Sequence, residues 1–128
     1  MNFYMKGDHL IMRTDKNELL ISANDDSGFK PFELMVASIA GCSASVLNKI
    51  LQKMRVDVTE LSVKADVQRE ENSSRRILAI HLHFIAVGNN LPNEKINRAL
   101  RLAHKHCSMV QSVKNSIDVT ESIEIRSS

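Results

Sequence analysis

The segment from Phe32 to Met54 constrains this chain more than any other. It follows Pro31, which suits the first turn of a helix because a missing N–H costs nothing there. Its C-terminal half is ordinarily amphipathic: Leu47, Ile50, Leu51 and Met54 form one stripe, with Lys49 and Lys53 off it. The N-terminal half differs. Leu34, Met35, Val36, Ala37, Ile39, Ala40, Cys42, Ala44 and Val46 surround the axis, and the exceptions, Ser38, Gly41, Ser43 and Ser45, are all small. A helix apolar on every side has to be buried on every side. Ala37, Gly41 and Ser45 recur every four residues and make a smooth strip that another backbone can approach. A chain of 128 residues with one modest sheet covers one flank of such a helix more easily than both. A second copy is therefore expected to supply the missing cover, giving a homodimer. The competing reading is the central helix of a monomeric core.

The rest of the chain reads as one α+β domain, residues 1–128, mostly antiparallel, with no repeat or linker. Residues 1–23 hold two or three short strands around Leu10–Met12 and Leu19–Ile21, and Asn24–Lys30 is a loop. After Asp57 the period becomes two. Leu61, Val63, Ala65 and Val67 alternate with polar residues, then Leu78, Ile80, Leu82, Phe84 and Ala86 do so after the polar turn Glu70–Ser74. This is the pattern of an antiparallel hairpin. Pro92 opens a second helix with Ile96, Ala99, Leu100, Ala103, Cys107 and Val110 on its buried stripe. A last strand places Ile117, Val119, Ile123 and Ile125 on one face.

Composition excludes several functions. Seventeen Lys and Arg against fifteen Asp and Glu leave a net charge of +2, too even for a nucleic-acid footprint. With no Trp, one Tyr and four Phe there is little on which single-stranded bases could stack. The longest stretch free of both charged residues and histidine, Leu34 to Asn48, falls short of the ~20 apolar residues of a membrane span, and no signal peptide is evident at the N-terminus. Two cysteines do not staple a domain of this size, so a cytoplasmic protein with free thiols is expected. Four glycines (Gly7, Gly28, Gly41, Gly88) make no phosphate-loop or dinucleotide pattern, and no CxxC or HExxH occurs. His81 and His83 share one side of a strand, which is more often a solvated face than a metal site; no metal or other cofactor is expected.

The thiols of Cys42 and Cys107 carry the remaining chemical interest. One reading makes both small core hydrophobes. The other makes them a redox pair. The small neighbours Gly41, Ser43 and Ala44 leave space at Cys42, and His104-Lys105-His106 place titratable or positive groups beside Cys107, which would lower its pKa. If the two meet, a thiolate attacks an O–O bond, becomes a sulfenic acid, and condenses with the second thiol to a disulfide. A cation would assist the first thiolate. Arg13 is the only Arg before Cys42, with Arg69, Arg75, Arg76 and Arg101 as further options. Glu33, in the first helical turn, either serves the helix dipole or clamps such an Arg.

Lys30-Pro31-Phe32-Glu33-Leu34-Met35-Val36-Ala37-Ser38-Ile39-Ala40-Gly41-Cys42-Ser43-Ala44 resembles the first cysteine signature of the OsmC/Ohr proteins, the osmotically inducible and organic-hydroperoxide-resistance family. Ala103-His104-Lys105-His106-Cys107-Ser108-Met109-Val110 resembles their second, and the hairpin lies between the two as in the family. The resemblance covers about Ser27 to Ile125. It implies an OsmC-like α+β fold with two long central helices in an intertwined homodimer. It implies an activity as well: thiol-dependent reduction of organic hydroperoxides or hydrogen peroxide, without metal or flavin. Cys42 would then be the peroxidatic thiol, Cys107 the resolving one, and a small dithiol or protein-bound lipoyl group the reductant. In the well-characterised branches the Arg-clamping Glu directly follows the Pro. Here Phe32 holds that place and Glu33 follows, about 100° further round the helix. Two other functions stay open: a non-enzymatic dimeric module binding a small apolar or thiol-reactive molecule, and a peroxide sensor that passes its disulfide to a partner.

Overall fold

The computed structural model describes residues 1–24 and 26–128. The chain forms two compact units, Met1–Ala37 and Ser38–Ser128. In the first, three short strands make an antiparallel meander: β1 (Asn2–Lys6), β2 (His9–Arg13) and β3 (Glu18–Ser22). The loop expected at Asn24–Lys30 includes Asp25, which lies outside the described residues. Beyond it, Phe29 donates to the Leu20 carbonyl and forms a bridge with Ile21. Gly28 permits this approach, because a Cβ there would stand 2.4 Å from the Leu20 carbonyl oxygen.

Helix α1 (Pro31–Lys53) matches its expected span. Lys30 is its N-cap: its carbonyl accepts the first helical bond from Leu34, and the Glu33 carboxylate reaches back to the Lys30 N–H at 2.9 Å. That is one half of a capping box, and it also sets a negative charge on the positive end of the helix.

The second unit holds the remainder of α1 and a three-stranded sheet in the order β4–β5–β6, formed by β4 (Glu60–Arg69), β5 (Ile77–Val87) and β6 (Asp118–Arg126). β4 and β5 are the expected antiparallel hairpin, with Lys64 opposite His83 and Asp66 opposite His81. Ile80, Leu82, Phe84 and Ala86 alternate onto one face and are wholly buried. Their alternation with half-buried His81, His83 and Ile85 is the period-two signature of a strand with one core face.

Two features depart from the sequence expectation. The strands form two separate sheets instead of one, and β6 runs parallel to β5. A parallel neighbour cannot be reached by a tight turn. The chain makes the crossover through helices α2 (Asn93–His106) and α3 (Ser108–Ser112). These are not the one continuous helix that the spacing of Ile96 through Val110 suggests. Cys107 interrupts it with an extended backbone, φ −80° and ψ 112°, closing one helix and opening the other. The Gln111 side chain donates to the His104 carbonyl at 3.2 Å, satisfying an acceptor that the break leaves open.

Candidate functional site

The break at Cys107 builds the site. Because α3 restarts at Ser108, its first N–H groups have no helical partners and are free to serve something else. What they serve is sulfur. The Met109 N–H is the main support for a Cys42 thiolate, and with the Cys107 thiol and both the side chain and backbone of Ser108 it lowers the Cys42 pKa against the opposing effect of burial. The Ser108 hydroxyl lies 3.7 Å from the Cys42 sulfur. Both cysteines are free thiols, Cys42 partly open and Cys107 wholly buried.

Cys107 behaves in the opposite way. Burial comes first among the causes that push its pKa up, and the neighbouring Cys42 adds to them, outweighing the N–H groups of Val110 and Met109. The expectation that His104, Lys105 and His106 would acidify Cys107 is therefore corrected. Lys105 and His106 stand exposed on the surface, while the sulfur faces the interior. Nearness in sequence is not nearness of charge to sulfur. The acidic thiol is Cys42, and backbone amide groups are what make it so.

The other candidates have settled partners of their own. The Arg13 guanidinium gives Nε and Nη2 to Glu18, at 2.9 and 2.6 Å, and stacks over the Tyr4 ring at 5.2 Å. Glu33 accepts from the Lys30 N–H at the start of α1. Arg76 pairs with Glu70 at 3.3 Å. The ring nitrogens of His81 contact Thr120 (2.7 Å) and Ser122 (2.9 Å), and His83 contacts Ser122 at 2.6 Å and Glu124 at 3.5 Å. This is a hydrogen-bonded row along the outer face of β5 and β6. Among the described residues no trio of His, Cys, Asp or Glu is grouped to hold a metal ion.

Sequence reading missed Glu121. It follows Val119 and precedes Ile123 on the apolar face of β6, and its side chain is only 4% exposed. Ser43 of α1 donates to one carboxylate oxygen at 3.3 Å, and His104 of α2 pairs with the other. The detectable signal was a single charge at an inward position of an otherwise apolar alternation.

The profile of the OsmC-like protein family matches residues 24–122. The chain belongs to the OsmC-like family. Among relatives of this OsmC-like chain, Protein YhfA of Escherichia coli K12 is 34% identical over 111 residues, covering 85% of this chain and 83% of YhfA. The fold is shared with an OsmC-like protein from Mycoplasma pneumoniae (TM-score 0.87, 13% identity, 98% of this chain and 94% of that one). It is shared also with an organic hydroperoxide resistance protein from Elizabethkingia anophelis (TM-score 0.76, 18% identity, 94% and 91%). By length and composition alone α1 could cross a bilayer, contrary to the short uncharged stretch noted in the sequence. The family profile runs through it, which identifies it as the core helix of a soluble OsmC-like fold.

Proposed function

We propose that this chain, residues 1–128 acting as one unit, is a cytoplasmic, homodimeric thiol peroxidase that reduces organic hydroperoxides or hydrogen peroxide. The observation that carries the reading is the acidified, partly open Cys42 beside the buried, protonated thiol of Cys107. The first is a nucleophile and the second a resolving partner. The Cys42 thiolate attacks one peroxide oxygen. The O–O bond breaks, the alkoxide (hydroxide, from hydrogen peroxide) leaves and takes up a proton as an alcohol or water, and Cys42 becomes a sulfenic acid. The Cys107 sulfur then displaces hydroxide from it, and the Cys107 proton departs with that hydroxide as water. A small dithiol or lipoyl group restores both thiols by exchange and is itself oxidised to a disulfide.

Support for the homodimer comes from α1. Only 22% of its most apolar stretch is buried within the chain, and Ala37, Gly41 and Ser45 stay exposed. A Cβ on Gly41 would meet nothing within 4 Å among the described residues, so none of them calls for glycine there. Close approach of a second helix does.

A second reading, a slower signalling or binding thiol, is favoured by the same geometry in one respect. Amides, the Cys107 thiol and the Ser108 hydroxyl, with no guanidinium among the leading causes, lower the Cys42 pKa, and Arg13 is engaged by Glu18. Turnover of cumene hydroperoxide with excess dithiol separates the two. The peroxidase reading expects wild-type consumption, its loss in Cys42→Ser, and a single sulfenic acid at Cys42 in Cys107→Ser. Undiminished consumption by Cys42→Ser rules it out. A wild-type protein that forms the disulfide but turns over no faster than free thiol favours the sensor.

A further inference from the structure

We infer that Glu121 is a positioning residue, a brace on β6 that fixes the helix bearing Cys42 against the helix that leads into Cys107. The inference rests on the reading of those thiols as a redox pair. Three observations carry it. Glu121 is placed by strand alternation on the apolar face with Val119, Ile123 and Ile125, and its side chain is 4% exposed. A carboxylate is costly in that position, and an aliphatic side chain would pack there without cost. Its two oxygens divide between the two helices. One accepts from the Ser43 hydroxyl, itself wholly buried, and the other pairs with Nδ1 of His104. Finally, both partners lie close to the cysteines along the chain. Ser43 directly follows Cys42 in α1, and His104 lies three residues before Cys107, in the last turn of α2.

The spacing between two thiols that must touch and then part is a matter of fractions of an ångström. Neither α1 nor α2 sets that spacing by itself, since the chain between them runs through the entire β4–β5 hairpin. A carboxylate held in a third element, bonded to each helix beside each cysteine, does set it. The same brace keeps the start of α3, with its Met109 N–H, aimed at Cys42, because α3 follows α2 with only Cys107 between them.

Two measurements on the full-length chain test this with Glu121→Gln and Glu121→Leu, each at a temperature where circular dichroism shows the native fold. The first is the effective concentration of the Cys42–Cys107 disulfide, obtained by equilibrating diamide-oxidised protein with glutathione buffers. Glu121→Leu is expected to lower it about 10- to 100-fold, and Glu121→Gln, which keeps one acceptor oxygen, by less. The second is the pH profile of Cys42 alkylation by iodoacetamide in the reduced protein, whose midpoint is expected to move upward in Glu121→Leu. A role confined to stability would lower the melting temperature and move neither quantity. If both variants match wild type in both measurements, the brace is refuted. If wild type itself forms no Cys42–Cys107 disulfide, the redox reading fails on its own account, and the alkylation profile alone decides for or against the brace.

Discussion

Two thiols of one residue type acquire opposite acidities here because their surroundings supply opposite things. Cys42 receives N–H and S–H donors that favour its anion, whereas Cys107 receives mostly desolvation. Iodoacetamide should therefore label Cys42 at a lower pH than an ordinary free thiol, and should label Cys107 only after unfolding. Mass mapping after a brief pulse between pH 6 and 9 checks this; equal labelling of both would overturn it. The linkage to stability follows by sign. The depressed Cys42 value contributes stability that is fully present above the unfolded thiol's pKa and is lost as pH falls through the folded one. The raised Cys107 value contributes in the opposite sense, so the two contributions oppose each other as the solution becomes alkaline. At this scale the sequence allowed the pair to be found but not the direction of each shift. The His104-Lys105-His106 run was visible and misleading, since Lys105 and His106 are exposed and His104 is turned to Glu121. Glu121 went unread because one charge amid Val119, Ile123 and Ile125 looks like noise until Ser43 and His104 are seen to bond it.

Elements were more legible where periodicity is unambiguous. The β4–β5 hairpin and the C-terminal half of α1 could be read from spacing alone, since periods of 2 and 3.6 are the direct imprint of which side faces the core. Strand direction leaves no such imprint. β6 has the same alternation whether it runs with β5 or against it, and its parallel course follows from the crossover. Nor did anything announce the interruption at Cys107, for neither Pro nor Gly stands there. The strip of Ala37, Gly41 and Ser45 yields a prediction at this level. Gly41→Leu should leave the single-chain fold intact, since a Cβ there meets open space and a helical glycine is the poorer choice by roughly 1 kcal/mol. It should nevertheless shift sedimentation from dimer to monomer. A dimer of unchanged affinity would show that α1 is covered through another face.

Across the molecule the core is unevenly shared: of the buried apolar side chains, all but Val36 belong to the second unit. That the strands would separate into two sheets was not legible, because pairing partners depend on the path of the chain and not on its alternation. Both sulfurs lie in the second unit, and the hairpin lies between them in sequence. A disulfide joining them would close a loop of about 65 residues and so restrict the unfolded chain, by about 4 kcal/mol on the chain-entropy estimate. The oxidised protein should accordingly unfold at higher guanidinium concentration than the reduced one, in matched titrations monitored by circular dichroism. Coincident midpoints would mean that the bond does not form or that forming it strains the native state.

The amide at Met109 has a bearing on how durable this chemistry is. A positive side chain can be erased by a single base change in its codon. A main-chain donor survives every replacement except proline, so the reactivity of the neighbouring sulfur is inherited along with the course of the backbone. Sequences that drift far apart, keeping the bend and losing most side chains around it, would retain a nucleophile without retaining any recognisable helper.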